Sequence, residues 1–379
     1  MKIGIDVTSA VTQGGGIGRY TRELAQALIA ADGDNEYHFF SAKQPAHLPV
    51  PEPIPTAANA FYHPAPLDER WLYRLWYRLR LPLPVQWVTG QLDLFHSPDF
   101  VLPPVSGNIP TLLTVHDLSF IHFPHVFPAR LVAYLNQVVP WSINRASHIL
   151  ADSQATKDDL IHIWRISADK ITVLYSGVNE TFQPVTEKTR LTAVRRKYNL
   201  GDAPYILSVG TVQPRKNYQM LIRAFQPVAA NYPHNLVIAG GKGWLYDEML
   251  AEVEKQNLNG RVHFIGFVDD ADLPTLYSAA TLFALPSLYE GFGLPLLEAM
   301  ACGVPVLTSN VSSLPEVVGE TAVQLPPAQE NVWTQAMLNL LTDPALRTRM
   351  IASGYRQARH FSWDKSAQQL LQIYRQLSN

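Results

Sequence analysis

The sequence predicts an α/β protein of two doubly wound, Rossmann-like domains facing across a cleft. Short β-rich runs alternate with longer helical patterns from one end to the other, the signature of parallel sheets covered on both faces. The alternation stops once, between Ser176 and Thr189, where Gly177, Asn179 and Pro184 replace periodic apolar residues, and then restarts. The 379 residues are too many for one ordinary domain of about 100 to 200 residues and enough for two, each with its own core.

The first series contains strands at Lys2 to Val7, Tyr37 to Phe40, Leu92 to Phe95, Thr111 to Val115, His148 to Ala151 and Ile171 to Leu174. Between the first two lies a helix over Arg19 to Ala31, with Leu24, Ala27, Leu28 and Ala31 on one face. The proline-rich stretch Pro45 to Pro66 reads as an irregular surface connection. The second series places strands at Tyr205 to Val209, Leu236 to Ala239, Val262 to Phe264, Leu282 to Leu285 and Val304 to Leu307. The expected division is residues 1–185 for the first domain and 186–360 for the second. A final helix in 361–379, from Trp363, is expected to cross back to the first domain.

Composition removes several function classes. Apolar residues make up 47 % and charged residues 16 %, which fits a folded chain rather than a disordered one. The 30 Lys and Arg nearly balance the 32 Asp and Glu, so no strong positive field exists to hold nucleic acid. Cys302 is the one cysteine, which excludes an internal disulfide and suggests a reducing compartment. The N-terminus lacks the apolar run of a secretory signal, and no apolar stretch approaches the roughly 20 residues that span a bilayer. The expectation is a cytoplasmic protein.

The chemistry gathers at strand ends, where open α/β sheets bind ligands. Gly14-Gly15-Gly16-Ile17-Gly18-Arg19-Tyr20 is a glycine-rich turn opening a helix whose amides could hold an anion, although its spacing does not fit a nicotinamide fingerprint. Gly210 to Asn217 sets Arg215 and Lys216 beside a helix start, two adjacent cations that suit a diphosphate. Gly240-Gly241-Lys242-Gly243 would let a ligand approach the backbone. The most specific segment, Pro286 to Met300, carries Glu290 in a glycine-flanked loop and Glu298 on the following helix, two carboxylates able to accept from ribose or sugar hydroxyls. Asp32-Gly33-Asp34 has metal-binding spacing but sits where a turn is expected, and no metal is assigned. Cys302 reads as a small core residue.

Glu290 and Glu298, with seven residues between them, resemble the E-x7-E motif of retaining nucleotide-sugar glycosyltransferases of the GT-B fold, family four. The glycine loop, Thr114-Val115-His116-Asp117, Arg215-Lys216 and Glu298 to Val306 are similar to that family in order and setting. The resemblance implies that Glu290 holds hydroxyls of the transferred sugar and Glu298 those of the nucleotide ribose. Arg215 and Lys216 would neutralise the leaving diphosphate, with amide contact from Gly16. His116 would lie near the anomeric centre, and the base would rest on backbone near Phe267 and Val268. Gly210, Gly240, Gly241, Gly291, Phe292, Gly293 and Leu294 complete the implied donor site. The implied chemistry uses no cofactor beyond the nucleotide-sugar substrate and needs no divalent metal. GDP-mannose is the favoured donor by likeness to mannosyl-type members, UDP-sugars staying open, and the acceptor is a glycan or lipid-linked glycan.

Two alternatives share these donor groups: a nucleotide-sugar epimerase and a non-catalytic sugar-nucleotide sensor. Glu69 to Arg80 mixes cations with aromatics and reads either as a peripheral membrane contact at the inner face or as a helix with Leu72, Leu75, Trp76 and Leu79 on a core face; the core reading is preferred. Oligomeric state carries no signal in the sequence.

Overall fold

A computed structural model describes residues 1–44 and 56–378. It divides into two compact units. The first comprises residues 1–122, 129–177 and 362–379, and the second 123–128 and 178–361.

Among the described residues the first unit holds a seven-stranded sheet ordered β3-β2-β1-β4-β5-β6-β7. The strands are β1 (Lys2–Asp6), β2 (Glu36–Lys43), β3 (Ala60–Asp68), β4 (Leu94–Ser97), β5 (Thr111–Val115), β6 (His148–Ala151) and β7 (Ile171–Val173). All pairings are parallel, and β1 meets β2 on one side and β4 on the other, which makes β1/β4 the point where strand order reverses. The second unit holds a six-stranded parallel sheet ordered β10-β9-β8-β11-β12-β13, with its reversal at β8/β11. Its strands are β8 (Tyr205–Val209), β9 (Asn235–Ala239), β10 (Val262–Gly266), β11 (Leu282–Leu285), β12 (Val306–Ser309) and β13 (Val323–Leu325). The central strands β9 and β11 are buried on both faces, as continuous Leu, Val, Ile and Phe runs require.

Several expectations are corrected. The connection read as irregular contains β3 over its last part and beyond; residues 45–55 lie outside the described ones. Pro64 and Pro66 are tolerated because β3 is the edge of its sheet. The units divide at Gly177/Val178, inside the span Ser176 to Thr189 where the alternation pauses, and again at Phe361/Ser362, and residues 123–128 group with the second unit. Leu79, expected on a buried face, is 61 % exposed, whereas Leu72 and Trp76 are buried. The helix Glu69–Tyr73 widens into a π-helix at Arg74–Arg78, which breaks the 3.6-residue register before Leu79. Trp71 is exposed beside Arg74, whose guanidinium lies 5.0 Å from the indole centroid. No helix among the described residues is long and apolar enough to cross a membrane.

The last helix, Trp363–Ser378, belongs to the first unit. Its buried stripe of Trp363, Ala367, Leu370, Leu371 and Tyr374 packs on the helix Gly16–Ala31. The Tyr374 hydroxyl is 2.8 Å from His96 Nδ1 on β4, and Ser366 donates to the Tyr175 carbonyl.

Candidate active site

In the second unit the candidate groups converge where β8 and β11 end. After β8 the chain makes a 3-10 turn at Pro214–Lys216, and Asn217, in the left-handed region at φ 58°, opens the helix Tyr218–Asn231. Asn217 Nδ2 donates to the carbonyls of Pro286 and Pro327, which ties this turn to the loop after β11. That loop brings Glu290 against both cations. Arg215 Nη1 donates to Glu290 Oε2 at 2.7 Å, and Lys216 Nζ to Oε1 at 2.6 Å. Ser287 Oγ adds a third donor to Oε1, and Arg215 also reaches the Tyr289 carbonyl at 2.6 Å. The Glu290 amide donates to Ser312 Oγ, and Ser313 Oγ donates to the carbonyls of Glu290 and Phe292.

Burial alone would raise the Glu290 carboxyl, but Arg215, Lys216 and Ser287 outweigh it and hold it down at about 2. The ion triad is therefore fully charged at neutral pH. It presents a buried lysine and a partly buried arginine that a more highly charged diphosphate could recruit. This pairing of Glu290 with Arg215 and Lys216 escaped the sequence reading. No local spacing signals contacts between residues some 75 positions apart.

Glu298 stands on the helix Leu294–Ala301, deeply buried, with Oε2 accepting from the Tyr277 hydroxyl at 2.7 Å. Tyr277 was not foreseen. Gly210 has φ 153°, and a Cβ there would lie 3.0 Å from Lys216 Cε, so the absent side chain gives the lysine its path to Glu290. At Gly240 a Cβ would meet the Gly210 carbonyl oxygen at 2.1 Å, so the close packing of two strand ends requires glycine there. Gly241 opens onto free space. Phe292 and Val268 bury their side chains in the core and can offer a ligand backbone only, whereas Phe267, just past β10, is 60 % exposed. Gly293, at φ 108°, precedes Leu294 at the helix start.

In the first unit, Gly16 begins the helix Gly16–Ala31 with no side-chain cap, and nothing would obstruct a Cβ there. Its first amides and dipole are open to an anion. Gly18 has another purpose, because a Cβ would strike the Gln13 carbonyl oxygen at 2.0 Å. His116, just past β5, is buried with Nδ1 2.7 Å from Asp152 Oδ2 and Nε2 3.2 Å from the Pro98 carbonyl. Both neighbours are acceptors, so both ring nitrogens donate. Burial opposes the charge, but Asp152, then Asp99, raise His116 to about 9. His116 is thus an imidazolium at neutral pH, a fixed cation rather than a base. Tyr20 meets its ring edge-on at 4.9 Å, and Trp363 meets Tyr20 at 5.6 Å. Asp152 and Tyr20 were not anticipated.

The two residues set aside behave as structural groups. Asp32 accepts from Tyr37 Oη and Asn35 Nδ2, contacts that overcome burial and lower its carboxyl. Cys302 is buried, its thiol pushed up to about 12 by burial and the charge of Glu298.

Comparison with known proteins fits this geometry. The family described as Glycosyl transferases group 1 matches residues 192–357, and Glycosyltransferase Family 4 matches residues 14–182. The chain is 34 % identical over 374 residues to O-antigen chain mannosyltransferase B of Escherichia coli, covering 96 % of each chain. Sucrose-phosphate synthase from Thermosynechococcus elongatus shares the fold with a TM-score of 0.79 at 24 % identity, covering 100 % of this chain and 99 % of that one. Anabaena HepE, solved in complex with UDP and glucose, shares it with a TM-score of 0.72 at 20 % identity, covering 98 % and 99 %. With two parallel-sheet units, carboxylates at both motif positions and a near full-length relative of this identity, the chain belongs to the GT-B glycosyltransferases of group 1.

Proposed function

We propose that the chain transfers a hexose, mannose from GDP-mannose by preference, to a glycan or lipid-linked glycan acceptor, retaining the anomeric configuration and using no divalent metal. The observation that carries this reading is the Arg215–Lys216–Glu290 triad at the strand-order reversal of the second sheet, two cations and a carboxylate where open α/β sheets bind ligands. Likeness to an O-antigen mannosyltransferase supports mannose. UDP, seen with HepE, remains the competing nucleotide to assay.

In this reading Arg215 and Lys216 take up negative charge as the bond to the diphosphate breaks, with help from the open amides near Gly16. Glu298 and Tyr277 orient the ribose, and Glu290, released from one cation, accepts from a sugar hydroxyl. His116, kept protonated with both ring N–H groups held by Asp152 and the Pro98 carbonyl, supplies a fixed positive charge rather than a hydrogen bond to the sugar; it cannot remove the acceptor's proton, a task that falls to the departing phosphate. Work on a cytoplasmic nucleotide-sugar pool, with peripheral contact at the inner face of the membrane through Trp71 and its neighbouring arginines, belongs to the same proposal.

The test is transfer from α-linked GDP-mannose to a mannoside, with and without EDTA, followed by proton NMR of the first-formed product. An α-linked product at an unchanged rate is expected. A β-linked product would overturn retention, and activity restored only by added metal would overturn the metal claim. Nucleotide release without any new glycoside would favour the epimerase.

A further inference from the structure

The short segment Phe123–Pro128 groups with the second unit, although His122 and Ala129 on either side of it belong to the first. Its residues make a stiff spacer. Pro124 opens a 3-10 turn over Pro124–Val126, and Pro128 confines Phe127 to extended backbone, at φ −120° and ψ 154°. Each end carries an aromatic ring, and the two rings meet different loops of the candidate donor site. Phe123 lies against Tyr289 after β11, centroids 6.3 Å apart, and Phe127 against Trp244 after β9, 5.5 Å apart. Between them the buried Val126 offers its carbonyl to the indole N–H of Trp244. We propose that this segment is a strap that positions both loops for the donor, with Phe123 and Trp244 as its positioning residues. The inference rests on the glycosyl-transfer reading above, which makes those loops the donor site.

Both anchor points bear on groups already described. Tyr289 precedes Glu290, and its carbonyl accepts from Arg215 at 2.6 Å, so a ring held against Tyr289 acts on the triad itself. Trp244 follows the glycine loop, where Gly243 donates to the Val212 carbonyl and Val212 to the Gly241 carbonyl, each at 3.0 Å. Leu245, next along, is half-exposed at φ 58°, a left-handed conformation that a leucine keeps only where its surroundings impose it. Its neighbours do so: Tyr246 lies against Phe264 at 5.5 Å, and Trp244 is tied to Val126. An indole N–H donates and cannot accept, so the Val126 carbonyl on the strap is what orients the ring. Loops rich in glycine lose much conformational freedom when a ligand orders them, which weakens binding. A rigid strap across both loops supplies part of that order before the donor arrives, and neither Phe123 nor Trp244 has to touch the donor to do so.

The experiment uses the full chain, isotopically labelled on nitrogen, and follows its indole N–H signals by NMR. Trp244→Phe removes one signal among those of the eight tryptophans and so identifies it. Phe123→Leu, at the other end of the strap, should shift or broaden that signal in the ligand-free chain. Both variants should bind GDP, or UDP if the wild type takes only that, about three- to tenfold more weakly by calorimetry, the scale of one neutral hydrogen bond. If Phe123→Leu loses its cooperative melt, Phe123→Met replaces it under the same two readouts. Folded variants that bind the nucleotide as tightly as the wild type would overturn the strap. So would a Trp244 signal that the change at Phe123 leaves in place, because the two ends would then act separately. A wild type that binds neither GDP nor UDP would instead overturn the glycosyl-transfer reading, whatever the ligand-free signals do.

Discussion

His116 and Glu290 carry charges of opposite sign, each fixed by partners distant in sequence, and each leads to a pH or stability measurement. The folded His116 titrates at about 9, above its ordinary 6.5, so its contribution is complete below 6.5 and fades as pH rises through 9. That contribution is on the order of 3 kcal/mol for a shift of this size in a buried group. Asp152→Asn should abolish this slope in urea melts between pH 6 and 9.5 and move the histidine titration, followed by NMR, to lower pH. For Glu290, held at about 2 below its ordinary 4.5, the contribution is present above 4.5 and fades as pH falls through 2. Glu290→Ala strands Arg215 and Lys216 as largely buried cations, an arrangement that typically costs about 3 kcal/mol or more. Added GDP should stabilise this variant more than it stabilises the wild type, because phosphate replaces the missing carboxylate. Equal thermal shifts would show that the diphosphate does not meet these cations. The sequence presented the residues of this site through strand-end position and motif likeness. It could not present the partners Asp152 and Tyr277, which only tertiary packing brings within reach.

At the scale of elements, the glycine loops after β8 and β9 divide into positions that serve packing and positions that face open space. Gly240→Ala would drive a Cβ against the Gly210 carbonyl and also sit at φ 152°, so it should unfold the loop and cost several times the roughly 0.5 kcal/mol usual for an open surface site. Gly241→Ala meets nothing and should melt like the wild type while raising the donor KM. Equal donor KM values for Gly241→Ala and wild type would remove Gly241 from the donor site. The two neighbours look alike in sequence, since φ and close approach are tertiary facts. Strands were legible where burial on both faces makes them continuous apolar runs, as in β5, β8 and β11. The edge strand β3, with Pro64, Pro66 and a half-exposed face, carries neither that run nor clean alternation. β12 begins two residues later than expected because Pro305 precedes it and Gly303, at φ 78°, ends the previous turn.

For the whole molecule, the first unit is assembled from both ends of the chain, so its stability should depend on residues that a reading of the first half would never include. The helix Trp363–Ser378 covers the helix Gly16–Ala31 with Trp363, Ala367, Leu370, Leu371 and Tyr374, all buried. Tyr374 also satisfies His96, a buried residue of β4 kept neutral by desolvation. Removing residues 362–379 would expose this apolar stripe, leave His96 Nδ1 without its hydroxyl partner and take away the wall behind Tyr20 and His116. Each fully exposed large apolar side chain forfeits about 1.5 to 3 kcal/mol, so a handful of them reaches the whole stability of an ordinary domain. The expected outcome of truncation after Phe361 is loss of hydrogen-exchange protection across the helix Gly16–Ala31, β1 and β4, with protection retained across β8, β9 and β11 of the second unit. Donor affinity measured by calorimetry should fall far less than the rate of transfer, because the Arg215–Lys216–Glu290 triad lies wholly in the second unit. Protection lost equally in both units would show that the last helix stabilises more than the sheet on which it packs.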